Sequence, residues 1–313
     1  MTHSTPSPSS PLRIGFVGVG NLGAKLAASL VHAGFAVAVH DRDRAAAEGL
    51  LALGAVWGDS PAAVADGADT VITCLPSPAI SAAVVTGGDG VLQGLRGGGT
   101  WIEMSTTDKH EVQRIAGIAA AQGVETLEAP VTGGVHLAAT GEITVIIGGD
   151  EQTAARCMPL FEAMGKRIFH VGPIGRASDI KVITNMLAFI HLVAAGEALM
   201  LSKRAGLDLG VAFEAIKQSS GNSFVHETES QVILNGSYNI NFTMDLALKD
   251  LGFAMGFGRE FGVPLDLAGH TYQTFIRAKE AYGGDAWSSQ VVKLLEDATG
   301  TDPRAPGFPA ELG

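Results

Sequence analysis

Short apolar runs alternate with longer segments of helical periodicity over the first half of the chain. Ala-rich segments such as 23–33 and 109–122 lie between these runs. Strand–helix alternation of this kind is typical of a parallel, doubly wound sheet. The pattern therefore predicts an α/β domain with strands at residues 13–17, 36–40, 70–75, 100–104, 124–128 and 143–148.

The pattern changes after Gly175, where the strand signals fade. A long helix is expected over 178–204, ending before Gly206. We predict an all-α second half, with further helices at 211–219, 224–234, 243–261, 265–281 and 288–298. The predicted organisation is a disordered tail at 1–11, a Rossmann-type α/β domain at 12–175, an all-α domain at 176–300 joined to it by the long helix, and a loose tail at 301–313.

Composition and charge narrow the classes of protein. The chain has 313 residues, and single cores stop growing at roughly 250–300 residues, which favours two domains. The formal net charge of −11 disfavours nucleic acid and anionic membranes as partners, because both require a basic surface. A small anionic substrate stays compatible, since a few local cationic groups can hold it.

Cysteine usage and apolar stretches point to a cytoplasmic protein. Cys74 and Cys157 form no CxxC or Cys/His cluster, so neither a disulfide framework nor a metal site is expected. The longest apolar stretch, 186–201, is interrupted by His191 and Glu197 and is interpreted as too short and too polar to span a bilayer. Residues 1–11 are rich in Ser and Pro and lack the apolar core of a signal peptide.

A glycine-rich turn follows the first predicted strand and opens an Ala-rich helix. Its residues are Gly18, Val19, Gly20, Asn21, Leu22 and Gly23. With 41 glycines in the chain such a spacing alone is weak, but the strand-turn-helix context makes it specific for a dinucleotide. The first glycine allows the tight turn, the second lets the pyrophosphate approach the backbone, and the third lets the helix pack on the strand. We therefore expect a nicotinamide-dependent oxidoreductase.

Charged residues after the second predicted strand bear on the choice of cofactor. Asp41 has the position of an acid that binds the adenosine ribose hydroxyls. Its charge repels a 2′-phosphate, which favours NAD. Arg42 and Arg44 keep NADP open, because either arginine can pair with that phosphate.

Four segments, in the same order and spacing, resemble the β-hydroxyacid dehydrogenase family, which includes 3-hydroxyisobutyrate dehydrogenase and tartronate semialdehyde reductase. Segment 15–23 resembles the family's N-terminal signature, and Glu-Ala-Pro-Val-Thr-Gly-Gly at 128–134 resembles its Asp-Ala-Pro-Val-Ser-Gly-Gly substrate loop. Lys-Val-Ile-Thr-Asn at 181–185 resembles its catalytic Lys-x-x-Asn-Asn, and Leu-Lys-Asp-Leu at 248–251 resembles its Lys-Asp-Leu element. The resemblance covers about residues 12–295.

The resemblance implies a role for each matched position. Lys181 is implied as the catalytic acid/base, Asn185 as a residue that places the substrate, and Thr132, Gly133 and Gly134 as the residues that hold its carboxylate. Leu75, Pro76 and Thr106 are implied to line the cofactor, and Lys249 to reach its nicotinamide end, although Lys249 can also simply pair with Asp245 or Asp250 on its own helix. The resemblance also implies a homodimer or homotetramer built through the all-α half.

The chemistry of the lysine is compatible with that role. Hydride leaves a carbinol carbon only as its hydroxyl proton is removed, so a base is needed near the oxygen. Free lysine has a pKa of about 10.4 and is a poor base at neutral pH. Ser178 is a plausible N-cap that places Lys181 in the first helical turn, where the helix dipole and burial both disfavour the ammonium form.

The chain departs from the family pattern at several positions. Thr184 replaces the first asparagine after the lysine, segment 175–178 reads Gly-Arg-Ala-Ser in place of Gly-x-Gly-Gln, and Trp287 stands where many members have aspartate. Two alternatives stay open, an imine-reductase-like enzyme and a non-catalytic cofactor-binding sensor or scaffold. Lys181 argues against both, since related imine reductases lack this lysine. The favoured function is the interconversion of a small β-hydroxy acid and its semialdehyde or keto acid.

Overall fold

The computed structural model describes residues 12–313, and the tail predicted at residues 1–11 lies outside the described residues. The chain divides into two compact units, the first ending at Lys181 and the second beginning at Val182. The boundary expected at 175/176 lies six residues before this division. The start of the long helix therefore belongs to the first unit.

The first unit is built on a mixed sheet. Its strand order is 3-2-1-4-5-6-8-7, with the ninth strand also paired to the eighth. Among residues 12–313 the strands are Arg13–Val17 (β1), Ala36–His40 (β2), Val56–Trp57 (β3), Thr70–Thr73 (β4), Thr100–Glu103 (β5), Glu125–Glu128 (β6), Val131–Thr132 (β7), Ile143–Gly149 (β8) and Gly165–His170 (β9). In the sheet, the six strands β3-β2-β1-β4-β5-β6 are all parallel to their neighbours within this group. This confirms the predicted doubly wound sheet. β8 runs antiparallel to β6 and β7, a mixed edge that was not predicted.

Alternating apolar residues explain why helices cover this sheet on both faces. Ile72 of β4 and Ile102 of β5 belong to one buried cluster, while their neighbours Val71 and Trp101 belong to another. Successive strand residues point to opposite faces, so each face has its own core. Parallel sheets are buried on both faces for this reason.

The α-helices of the first unit differ at their starts, and in four of them a polar side chain caps the N-terminus. They are Gly23–His32 (α1), Glu48–Ala52 (α2), Pro61–Ala65 (α3), Pro78–Thr86 (α4), Val91–Gly94 (α5), Lys109–Ala121 (α6), Val135–Ala139 (α7) and Glu151–Met164 (α8). Asp108 accepts from the His110 and Glu111 amides at the start of α6, and Asp150 accepts from the Thr153 amide at the start of α8. Such side chains satisfy N–H groups that have no partner within the helix.

The second unit is helical, as predicted. Helix Arg176–Arg204 (α9) enters it from the first unit, and Leu209–Lys217 (α10), Phe224–Asn235 (α11), Met244–Phe261 (α12), Asp266–Tyr282 (α13) and Lys293–Thr299 (α14) follow. Between residues 182 and 313 the structure contains no strand, and one isolated bridge joins Thr243 to Trp287. Trp287 packs against the core of this unit, so the departure from the family's aspartate is accommodated by burial.

The C-terminal residues 301–313 are anchored and not loose. They form no helix or strand, but Arg304 Nη1 donates to the Ile233 carbonyl (3.0 Å) and Phe308 packs edge-on against Phe213. Ser237 Oγ donates to the Ala310 carbonyl (2.6 Å). Composition suggested a loose tail because the segment is rich in Pro and Gly, yet such residues can follow an extended path over a packed unit.

Helix α9 is longer than its apolar stretch suggested. It has 29 residues, and its most apolar 18-residue window has a mean hydropathy of 1.6 with 28% of that window buried. By length and composition it could cross a membrane, so the interpretation of 186–201 as too short does not hold for the whole helix. The same length and composition also occur in helices of soluble proteins.

Candidate active site

Two glycines of the turn between β1 and α1 are required by packing alone. Gly18 has φ +92°, and a Cβ there would lie 2.3 Å from the Cys74 carbonyl oxygen. A Cβ on Gly23 would lie 2.0 Å from the Gly18 carbonyl oxygen. The turn thus lies tightly against the chain just after β4, and the start of α1 lies tightly against the turn, so both positions require glycine.

Gly20 is different, because its environment is open. Among the described residues no atom lies within 4 Å of a Cβ built on Gly20, and the residue is exposed. The protein itself does not require glycine here, so the absence of a side chain leaves space for a group from outside. This open backbone at the start of a helix fits the pyrophosphate of a dinucleotide.

Asp41 directly follows β2 and holds the glycine turn. Its Oδ2 accepts from the Val19 amide (2.9 Å), and its Oδ1 accepts from the Asp43 amide (3.1 Å). Arg42 is exposed, whereas the Arg44 guanidinium lies over the Trp57 ring at 5.0 Å. Asp41 is therefore both a structural acceptor and a negative charge at the end of β2.

The ends of β4 and β5 meet at a buried carboxylate that the sequence analysis missed. The Leu75 amide donates to Ser105 Oγ (2.7 Å), and the Ser105 amide and hydroxyl both donate to Glu103 Oε1. Burial raises the pKa of Glu103, against the opposing effect of these hydrogen bonds. Of the predicted cofactor residues next to these hydrogen bonds, Pro76, which follows Leu75, is exposed, and Thr106, which follows Ser105, is half-buried. A charged residue at the end of an otherwise apolar strand was the available signal.

Residues 132–134 form a glycine turn after β7. Gly133 has φ +124° and Gly134 has φ +91°, conformations that L side chains rarely adopt. Thr132 and Gly133 are half-buried and Gly134 is exposed. The backbone needs glycine at two successive positions here, which supports a turn that presents amide groups rather than side chains.

Lys181 lies near the start of α9 and is 8% exposed. The helix begins at Arg176, so Lys181 is its sixth residue and lies in the second turn, not in the first. Ser178 is not the N-cap. It lies inside the first turn, and its amide and hydroxyl donate to the Glu128 carboxylate. Sequence reasoning took a local hydroxyl as the cap because the true acceptor is remote in sequence.

Asn185 and Lys249 are brought together in the second unit by a buried carboxylate. Asn185 Nδ2 donates to Asp250 Oδ2 (2.6 Å), and Lys249 Nζ pairs with Asp250 Oδ1 (2.6 Å). Asp250 is fully buried. Of the two partners weighed for Lys249 the structure gives Asp250, while Asp245 pairs with Lys279. The role of Asp250 as the bridge between two predicted site residues was missed.

Arg176 and Thr184, two further positions in the segments that differ from the family pattern, lie in less buried surroundings than Asp250. Arg176 is largely exposed and pairs with Asp179 in the same turn, and Thr184 is half-buried one residue before Asn185.

Among residues 12–313 no group of three or more His, Cys, Asp and Glu side chains could hold a metal ion.

A doubly wound sheet with an open glycine turn after β1, followed by a helical unit, defines a two-domain dinucleotide-dependent oxidoreductase. Two family models match the chain. The NAD binding domain of 6-phosphogluconate dehydrogenase matches residues 13–172, and the model described as NAD-binding of NADP-dependent 3-hydroxyisobutyrate dehydrogenase matches residues 175–295.

Individual relatives agree with these models. The 2-(hydroxymethyl)glutarate dehydrogenase of Eubacterium barkeri is 32% identical over 92% of this chain and 96% of that enzyme. The 3-hydroxyisobutyrate dehydrogenase of Pseudomonas aeruginosa is 36% identical over 77% of this chain and 84% of that enzyme. The structure of Mycobacterium tuberculosis 3-hydroxyisobutyrate dehydrogenase with L-serine superposes with a TM-score of 0.81 at 31% identity, over 91% of this chain and 99% of that one.

The chain belongs to the β-hydroxyacid dehydrogenase family. It is an NAD(P)-dependent oxidoreductase that acts on a CH–OH group. An imine reductase from Pseudomonas sp. is 16% identical with a TM-score of 0.62, which shows a common fold alone. The dehydrogenase prediction is therefore confirmed over the imine-reductase alternative.

Proposed function

We propose that Lys181 is the general acid/base that removes the hydroxyl proton of a small hydroxy acid and returns it in the reverse reaction. The observation that carries this proposal is a lysine that is almost fully buried near the start of α9, at the position of the family's catalytic lysine. A bound nicotinamide supplies the hydride acceptor or donor. A lysine acts as a base only in its neutral form, and burial disfavours the ammonium.

The substrate is a small hydroxy carboxylate, with Thr132, Gly133 and Gly134 as the residues that hold its carboxylate. Their support is the positive-φ glycine backbone at 133 and 134, which presents amide groups without side chains. Asn185 positions the substrate, and its amide nitrogen is already oriented by Asp250. The names of the relatives support this class, since they act on 2-(hydroxymethyl)glutarate, L-threonate and 3-hydroxyisobutyrate.

The cofactor site comprises Gly18–Gly23 together with Asp41, Leu75, Pro76 and Thr106, and NAD is its preferred occupant. The Asp41 carboxylate, held at the glycine turn by the Val19 amide, lies where a 2′-phosphate would approach. The Arg44 guanidinium lies over the Trp57 ring, and Arg42 and Arg44 are both exposed cations that could favour NADP. Comparison of KM for the two cofactors tests this preference, and a strong preference for NADP would refute it.

The catalytic proposal is tested by one lysine substitution with a matched control. Purified enzyme is screened with NAD and NADP against 3-hydroxyisobutyrate, L-serine, L-threonate, glycerate and 2-(hydroxymethyl)glutarate. Lys181→Met is expected to lower kcat by about 10²–10⁴-fold while the NADH dissociation constant stays unchanged. Lys203→Met, in the last turn of the same helix, is the control and is expected to be neutral. Undiminished turnover by Lys181→Met would refute the mechanism, and cofactor binding without turnover on any substrate would favour the sensor alternative.

The exposed apolar side chains of α9 support a homo-oligomer. Ile183, Leu187 and Leu201 are 48%, 47% and 71% exposed, and they belong to a helix that contains an 18-residue window with at most two charged residues. A second copy of this chain can bury them. Light scattering on wild type and Leu187→Glu tests this, with a dimer or tetramer expected for the wild type and a smaller species for the variant. A monomeric wild type that binds lipid vesicles would overturn it.

A further inference from the structure

The start of α9 is held by a carboxylate that lies some fifty residues earlier in the chain. Glu128, the last residue of β6, is 1% exposed. Its Oε1 accepts from the Gly175 amide (2.6 Å) and the Ala177 amide (2.8 Å). Its Oε2 accepts from the Ser178 amide (3.1 Å) and hydroxyl (2.5 Å).

These contacts complete the N-terminus of the helix. The first four N–H groups of an α-helix have no partner within it, and here they belong to residues 175–178, because the Asp179 amide already donates to the Gly175 carbonyl. Glu128 accepts three of the four, and the Pro173 carbonyl accepts the Arg176 amide (3.1 Å). A single side chain thus accepts hydrogen bonds from three backbone amides at the start of the helix.

The surroundings of Glu128 are built to admit it. It lies opposite Gly148 in the β6–β8 pair, and a Cβ on Gly148 would lie 2.4 Å from Glu128 Oε1. Three of its four donors are backbone amides, which can only donate, so the arrangement suits a carboxylate that accepts. Burial raises the pKa of Glu128 while these hydrogen bonds oppose that rise.

A second element braces the same turn. Lys109 of α6 pairs with Asp179 (3.6 Å), with both side chains largely buried. Gln113 Nε2, also on α6, donates to the Ile174 carbonyl (3.0 Å). The start of α9 is therefore tied both to the end of β6 and to one side of α6, all within the first unit.

We propose that Glu128 is a positioning residue for the reaction: its carboxylate fixes the first turn of α9 and thereby the position of Lys181, one turn further along. The proposal rests on the proposed function, since it needs Lys181 to act on the substrate. Its local basis is helix geometry, because Lys181 lies three residues beyond Ser178 and long helical side chains point back toward the N-terminus. Two departures from the family pattern meet in this contact, glutamate for aspartate at 128 and serine for glutamine at 178.

Three variants perturb the contact in different ways. Glu128→Gln keeps the shape but replaces one acceptor with a donor that faces the Ser178 amide. Gly148→Ala leaves the carboxylate intact and displaces it. Ser178→Ala removes one of the four donors. Asp208→Asn is the control, because Asp208 caps α10 of the second unit through the Val211 amide (2.9 Å).

The experiment combines kinetics with hydrogen exchange. Glu128→Gln and Gly148→Ala are expected to lower kcat at least tenfold, and Ser178→Ala two- to fivefold, with the NADH dissociation constant changed less than twofold. Amides 175–178 are expected to exchange faster in the first two variants, while Asp208→Asn changes neither kcat nor exchange at these amides. A folded Glu128→Gln enzyme with unchanged kcat would overturn the proposal. So would losses of kcat and cofactor affinity in equal proportion.

The exchange arm separates this proposal from the proposed function. If the enzyme turns over the hydroxy acids but Lys181→Met is active, the proposed function fails and the exchange data still report on the contact. Unchanged protection of residues 175–178 in Glu128→Gln refutes the positioning role whatever the substrate. Should Glu128→Gln not fold, Ser178→Ala and Gly148→Ala carry the same comparison.

Discussion

Two glycines of one turn are expected to respond in opposite ways to the same substitution. Gly20→Ala should leave the fold intact and weaken cofactor binding, whereas Gly23→Ala should destabilise the first unit. The difference follows from what a Cβ meets. On Gly23 it lies 2.0 Å from the Gly18 carbonyl oxygen, and among the described residues it meets nothing within 4 Å on Gly20.

The sizes of the two effects can be estimated from these distances. Real Cβ atoms essentially never approach other atoms below 3.0 Å, so Gly23→Ala must move backbone by about 1 Å or more. Overpacking of this kind costs about 1–3 kcal/mol. The higher helix propensity of alanine applies to helix interiors and does not offset this cost at Gly23, the first residue of α1. Gly20→Ala is expected to be neutral or to stabilise by about 0.4–1 kcal/mol, because alanine restricts the unfolded chain.

Cofactor affinity should separate the variants further. A methyl group at position 20 occupies the space proposed for the pyrophosphate, so the NADH dissociation constant should rise at least about tenfold, or about 1.4 kcal/mol. Urea unfolding and fluorescence titration of both variants measure the two effects independently. Unchanged NADH affinity in Gly20→Ala would refute the assignment of this turn to the pyrophosphate. An equally stable Gly23→Ala would refute the packing argument.

Three further predictions concern the second unit. Glu229 has one buried carboxyl oxygen without a partner among the described residues, and burial raises its pKa to about 8. The free energy of unfolding should therefore be highest below pH about 4.5 and should fall by up to about 5 kcal/mol as the pH rises through 8. Urea unfolding at a series of pH values measures this dependence, and Glu229→Gln should abolish it. Asp250→Asn should lower kcat/KM about 10–100-fold by releasing Asn185. Asp245→Asn, on the same helix as Asp250, breaks an exposed pair with Lys279 of α13 and should cost under about 1 kcal/mol and leave the kinetics unchanged. Arg304→Ala should lower the free energy of unfolding by about 1–2 kcal/mol without affecting kcat, because Arg304 ties the C-terminal segment to the Ile233 carbonyl and to Glu296.

Periodicity was sufficient for the elements that are long and apolar. All six predicted strands are present. In the parallel part of the sheet, strands such as β1 and β4 are buried on both faces and therefore contain the apolar runs that made them recognisable. Five helices of the second unit were predicted within two residues, since elements such as α11 and α12 carry apolar residues at helical spacing and end at Gly236 and Gly262. The helix predicted at 288–298 is instead a 3-10 helix over Ser288–Val292 followed by α14. The glycine turn was readable because its three glycines have a fixed spacing between a predicted strand and a predicted helix.

The elements that were missed are those that depend on partners remote in sequence. β3 and β7 have two residues each, too few for any periodicity. β9 is largely exposed and begins Gly-Lys-Arg, so it gives no apolar run. The mixed edge of the sheet depends on the pairing of β6 with β8, which no local pattern encodes. Prediction of the C-terminal segment failed for the same reason, because its stability comes from contacts with residues 233–238.

Three of the carboxylates that organise the candidate site share one place in the fold. Asp41, Glu103 and Glu128 stand at the carboxyl ends of β2, β5 and β6, the edge where ligands of doubly wound sheets bind. Each accepts a backbone amide of a segment that carries site residues, respectively the glycine turn, the residue before Thr106, and the start of α9. A carboxylate at this edge costs desolvation energy unless amide donors compensate it, so its presence implies a loop that must be held. Acidic residues that end buried parallel strands are therefore a signal for the loops that form the site, and they can be read from a sequence once the strands have been assigned.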